Sequence, residues 1–146
     1  MNLFFTTAIA LFFLLHSPVY AQQGKKGINT KKPLDALSMD KWSSEHGLIS
    51  NNLTSVFQSS SNFLWITTFN GIQRFDGVSF RLYDKTIIPS LSSNGFYKTF
   101  EDSKGNLWFC SQSSGIIKYS GNVFEQVLPE GRSSLSVRSI AEEPDG

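Results

Sequence analysis

The chain has 146 residues, with 13 Lys and Arg against 12 Asp and Glu, a net charge of +1, 40% hydrophobic residues and a single cysteine. Near-neutral charge gives no electrostatic reason to expect nucleic acid as a partner. The lone Cys110 excludes an intrachain disulfide and any multi-cysteine metal site.

Residues 1–21, MNLFFTTAIALFFLLHSPVYA, read as a signal peptide. An apolar run of 13 residues from Leu3 to Leu15 is followed by Pro18 and by Val19-Tyr20-Ala21, a small-x-small cleavage signal. The run is shorter than the roughly 20 residues needed to cross a bilayer, so export is expected, with an uncleaved signal anchor as the alternative. Residues 22–36 carry Lys25, Lys26, Lys31 and Lys32 among Gly, Asn and Gln. That composition predicts a flexible, solvated leader. Residues 37–52, with Trp42 and His46, open the fold.

The remainder predicts strands only. A first unit, 53–83, contains strands at 53–58, 63–68, 71–75 and 79–83. A loop at 84–95 leads to a second unit, 96–128, with strands at 96–101, 107–111, 115–119 and 123–128. Residues 129–146 are a loop and the first strand, 137–140, of a third unit. These segments are rich in aromatic and β-branched residues and are bounded by Gly, Asn, Asp and Ser. Asp76-Gly77 predicts a tight hairpin with both central residues at positive φ, and Ser120-Gly121-Asn122 predicts the same for the second unit.

The two units are copies. SNFLWITTFNGIQRFDG at 61–77 returns as KGNLWFCSQSSGIIKYSG at 104–121, with Trp108 lying 43 positions after Trp65. After one inserted residue, Gly115 matches Gly71, Tyr119 matches Phe75 and Phe124 matches Phe80, each 44 positions on. A four-stranded unit of about 40 to 45 residues is the size of one propeller blade. Blades stack face to face, which accounts for the continuous apolar runs Leu64-Trp65-Ile66 and Leu107-Trp108-Phe109. The recurring Trp is expected to pack between blades, and Cys110 to be a small buried hydrophobe. The fold class is therefore all-β, with propeller blades in an incomplete ring.

These units resemble the two-component regulator propeller repeat, in which an acidic turn ending in Gly precedes Asn-Leu-Trp-Ile-Gly-Thr and then Gly-Leu-x-Arg-Phe-Asp-Gly. The matching residues are Glu101-Asp102-Ser103-Lys104-Gly105-Asn106-Leu107-Trp108 and Gly71-Ile72-Gln73-Arg74-Phe75-Asp76-Gly77. Residues 32–56 look like the segment that opens the first blade in such sensors. Departures are Thr67 and Cys110-Ser111 after the Leu-Trp phrase, and Ser59-Ser60-Ser61-Asn62, a first turn without acids or Gly. The resemblance implies an exported sensor region that recognises an environmental small molecule or saccharide. A membrane helix would couple it to an output domain such as a histidine kinase or diguanylate cyclase. The chain would then be the opening fragment of a longer protein, itself no enzyme, needing the remaining blades to close its ring. It would meet the membrane only through the signal peptide or a downstream helix.

In propeller topology the connections after the second and fourth strands of a blade share one face. Here these are 69–70, 112–114, 84–94 and 129–136. On that face Phe69 offers a stacking surface, and Asn70 and Gln112 offer amides to a sugar-like ligand; the alternative for Phe69 is to fill a gap between blades. Trp42 offers either a saccharide platform or packing on the first blade. His46 sits in a turn with no second histidine beside it. The pairs Glu101-Asp102 and Glu142-Glu143 recur at equivalent positions, so turn formation or solvent exposure explains them better than acid–base chemistry. Asn52-Leu53-Thr54 fits a glycosylation acceptor, a match too short to carry weight. No catalytic residue, metal ligand or cofactor is expected. The competing readings are a periplasmic propeller lyase or hydrolase, which needs convergent histidines and acids, and an adaptor assembling blades from several chains.

Overall fold

The computed structural model describes residues 40–143. The predicted signal peptide, the leader, residues 37–39 of the opening segment and residues 144–146 lie outside the described residues. Eight strands follow a short 3-10 turn at Ser44–His46: β1 Leu53–Gln58, β2 Leu64–Thr68, β3 Gly71–Phe75, β4 Phe80–Tyr83, β5 Phe96–Glu101, β6 Leu107–Ser111, β7 Ile116–Ser120 and β8 Val123–Val127. They form two four-stranded antiparallel meanders, β1-β2-β3-β4 and β5-β6-β7-β8. Each is one blade, and the two leave the ring open. Strand β5 packs against β1 and β2 of the preceding blade.

The core fills the seam between the blades. Trp65 is 1% exposed; its indole stacks on Tyr83 at 5.9 Å and meets Phe109 and Tyr119 of the next blade at 5.4 and 5.0 Å. Ile72, Phe96, Phe109 and Ile117 are fully buried around it. Rings in tilted and edge contacts add to the apolar burial that drives the blades together.

The turns carry most of the local specification. Between β1 and β2, Asn62 takes φ 66°, and Gly105 takes φ 79° at the equivalent place between β5 and β6. Asn is the non-glycine residue best suited to that left-handed conformation, so the first turn keeps its shape without the repeat's glycine. The hairpins at the other end of each blade differ. Gly121 and Asn122, both at positive φ, form a tight two-residue connection between β7 and β8, with Ser120 taken into β7. The connection between β3 and β4 instead spans four residues, and Asp76 does not have positive φ. Its carboxylate accepts from Val78 N at 2.8 Å and Ser79 N at 2.7 Å, so a side-chain acceptor closes the loop and β4 begins at Phe80, one residue later than expected.

The strand predicted at 137–140 is not formed. Among the described residues no neighbouring strand pairs with it on its far side. The segment nevertheless follows the second blade: Val137 N donates to Ser111 O at 2.9 Å, and Lys98 Nζ donates to Ser139 Oγ at 3.2 Å.

The opening segment is fastened by one buried side chain. Gln73 on β3 accepts from Ile49 N at 2.8 Å through Oε1 and donates to Gly47 O at 2.9 Å through Nε2. Trp42 lies edge-on to Phe75 at 5.1 Å, on the first blade.

Candidate functional site

The face carrying the β2–β3 and β6–β7 connections is built on buried hydroxyls. Thr68, fully buried, donates to Gly71 O at 3.1 Å and accepts from Asn70 N at 2.9 Å. Ser111, its equivalent, donates to Gly115 O at 2.8 Å and accepts from Ser114 N at 2.7 Å. Each connection thus has its backbone fixed from beneath, which presents Phe69, Asn70 and Gln112 outward. The long loops lock onto the same base. Ser114 Oγ accepts from Ser92 N at 2.9 Å, and Leu135 exchanges bonds with Ser113 O and Gly115 N at 3.1 and 2.8 Å.

The structure keeps Phe69 open, 52% exposed, with its ring edge-on to Tyr97 at 5.8 Å. It therefore neither stands alone nor fills the seam. Tyr97 occupies the register irregularity between Phe96 and Lys98, as Thr54 does between Leu53 and Ser55 in the first blade. A bulge re-aims the extra residue away from the ladder, and here it delivers the Tyr97 ring to the rim. The Arg138 guanidinium also lies 4.3 Å from the Tyr97 ring centroid, a cation–π distance. Phe69, Tyr97 and Arg138 form a row drawn from the first blade, the second blade and the segment after it.

Gln112 packs at Gly95, just before β5. Its N–H donates to Gly95 O at 2.8 Å, and its side chain covers Gly95 so closely that a Cβ there would lie 2.5 Å from Oε1. Phe69 and Asn70 are neighbours; Gln112 reaches the same strand start from the second blade.

Tyr97 and Arg138 were not among the residues singled out from the sequence. The signal was present, since the equivalent positions read Thr54, Tyr97 and Arg138, a disagreement among copies on an exposed edge. It lay inside a predicted strand and not in a loop, and the register irregularity that sets Tyr97 apart is not visible in the sequence.

The other candidates have local roles. His46 Nδ1 hydrogen-bonds Ser43 N at 3.2 Å and Ser43 Oγ at 2.9 Å, closing the 3-10 turn. Thr54 of the Asn52-Leu53-Thr54 tripeptide donates to Thr67 Oγ1 at 2.9 Å inside the sheet. The acid pairs divide their labour. Asp102 organises the β5–β6 turn, accepting from Lys104 N at 3.0 Å, Asn106 N at 2.7 Å, Asn106 Nδ2 at 2.8 Å and Trp108 Nε1 at 2.8 Å. Desolvation works against its ionisation, but the donors of Asn106 and Trp108 outweigh that and hold the pKa at about 2. Glu101 and Glu142 do more than face solvent: each reaches back to the preceding blade, to Ser60 and Ser103 respectively. Among the described residues no three of His, Cys, Asp and Glu converge as a metal-binding group, and no helix is long and apolar enough to cross a membrane.

Residues 90–113 match the two component regulator propeller family. They run from the end of the inter-blade loop through β5 and β6, so the match covers the bulge at Tyr97, the acidic turn and Trp108. No curated protein matches the chain. Among solved structures, a crystal structure described as the extracellular domain of a hybrid two component system from B. thetaiotaomicron is similar, with 25% identity and a TM-score of 0.48. The likeness covers 56% of this chain and 12% of that one.

Proposed function

We propose that this chain, which carries a two component regulator propeller repeat at residues 90–113, is part of an exported ligand-sensing propeller in a two-component-type signalling protein. That repeat is the observation on which the reading rests. Its ligand would be taken at the face of the β2–β3 and β6–β7 connections. There the row of Phe69, Tyr97 and Arg138 supplies ring and guanidinium surfaces, and Asn70 and Gln112 supply amides. Such a set suits a saccharide, whose C–H face stacks on rings while its hydroxyls exchange hydrogen bonds with amides. Binding would bias the seam between blades, and a membrane helix would pass that bias to a cytoplasmic kinase or cyclase.

The test is calorimetric titration of the purified protein with a panel of neutral oligosaccharides. Saturable binding by one of them, weakened about tenfold by Phe69→Ala and by Tyr97→Ala, is expected. Absence of heat with every sugar would overturn the saccharide reading. Affinity unchanged in both variants would overturn the assignment to this face.

A further inference from the structure

The two blades are copies, so the positions where one has lost a group the other keeps are informative. On the seam-facing side of the first blade, Trp65, Arg74 and Arg81 stand directly opposite one another across β2, β3 and β4. The second blade has Trp108, Lys118 and Glu125 in the same register. Two carboxylates present in the second blade are missing from the first. Asp102, which accepts the Trp108 indole N–H at 2.8 Å, is replaced by Ser59. Glu125, opposite Lys118, is replaced by Arg81.

Both losses leave unmet chemistry. Trp65 Nε1 is buried without a hydrogen-bond partner, although a buried donor without an acceptor costs free energy. Arg74 and Arg81 put two like charges at directly opposite positions of β3 and β4, an arrangement that disfavours the sheet. They are held over rings, Arg74 4.3 Å from the Phe63 centroid and Arg81 5.4 Å from that of Tyr83. A cavity of about 400 Å³ opens beside this row, lined by Trp65, Arg74, Lys104 and Asn122 among others. A smaller hollow of about 280 Å³ shares Arg74 and Asn122 with it and is lined by Arg81 and Tyr119. Glu101 also lines the larger cavity, but both its oxygens are taken by Ser60.

We propose that this seam binds a small organic acid, whose carboxylate lies on the Arg74–Arg81 pair in the hollow that both line. The guanidinium fork matches a carboxylate in two bonds, and about 400 Å³ is within the usual size of a small-molecule site. The ligand would restore to the first blade the negative charge that Glu125 gives the second, and with Tyr119 and Asn122 in the same hollow it would bridge both blades. The site lies away from the Phe69 face and does not depend on the saccharide reading.

The experiment is calorimetric titration of the purified protein with citrate, D-galacturonate, inorganic phosphate and neutral galactose. Citrate or galacturonate is expected to saturate one site that galactose and phosphate do not occupy. Arg81→Glu and Arg74→Gln are each expected to weaken it by about tenfold or more, the first without lowering the melting temperature. The first copies the charge order of the second blade, and the second removes the guanidinium that both hollows share. No binding of either acid, equal binding of phosphate, or unchanged affinity in either variant would overturn the proposal.

Discussion

Glu101 holds Ser60 across the seam by two bonds: Ser60 N donates to Oε2 at 2.8 Å and Ser60 Oγ to Oε1 at 2.6 Å. The same clasp recurs one blade on, where Ser103 N and Oγ donate to Glu142 Oε2 and Oε1 at 2.8 and 2.9 Å. The acid at this position of each copy thus fastens the turn of the blade before it. Hydrogen bonds to a charged acceptor are stronger than neutral ones, but the pair is exposed and solvent screens it.

Glu101→Gln is expected to lower stability by about 1 kcal/mol, and Ser60→Ala by less, because the backbone donor survives. Urea denaturation of the single and double variants would check this. A double variant no worse than Glu101→Gln alone would show that the two residues act as one unit.

Asp102 makes stability depend on acidity. Its pKa is lowered from 3.8 to about 2 in the folded chain. The stabilisation is therefore complete above the unfolded value and is lost as pH falls through the folded one. Melting temperature should decline between pH 4 and pH 2, and Asp102→Asn should flatten that decline. Trp108 emission, followed through the same range, would report release of its indole N–H.

Thr99 is 3% exposed and its hydroxyl has no partner. Val56 and Ile140 occupy the equivalent positions of the other copies. Thr99→Val keeps the shape and removes a buried polar group, so a gain of about 1 kcal/mol is expected. A lower denaturation midpoint would show that the hydroxyl is satisfied in solution.

Gly115 combines φ 71° with a crowded side, since a Cβ there would meet Leu128 Cδ2 at 2.5 Å and Val127 O at 2.7 Å. Gly121 has φ 55° and open space around it. Gly115→Ala should cost about 2 kcal/mol or more, and Gly121→Ala about 1. Equal melting temperatures for the two would contradict the crowding.

Cys110 is buried, and burial pushes its thiol pKa up, against a smaller opposing pull from Lys98. Alkylation by iodoacetamide should be negligible at pH 8 in the folded chain and complete in denaturant, as mass spectrometry would record.

The blades were legible in the sequence because each strand repeats the same apolar phrase between the same turn residues. All eight strands lie within two residues of their expected bounds at either end. What escaped were features set by partners distant in the chain. The clasp from Glu101 to Ser60 spans the seam, and nothing local distinguishes it from an acid beside a turn. The bulge at Tyr97 depends on the pairing of β5 with β6, so the residue looked like an ordinary strand position. The hairpin at Asp76 went astray for the opposite reason: its carboxylate could cap two backbone N–H groups, and that local bond displaced the two-residue turn. At 137–140 the residue pattern is that of a strand, but a strand needs a hydrogen-bonded neighbour.

Four ties among the described residues reach backward from one unit to the unit before it. Glu101 returns to Ser60, Glu142 to Ser103, Leu135 to Ser113 and Val137 to Ser111. A chain emerging N-terminus first therefore finds the anchor for each new segment already in place. Its assembly can proceed in the order of translation, with each blade fastening its predecessor before its own far side is covered. The handle for the next arrival is the turn just completed, so growth has a direction built into the repeat.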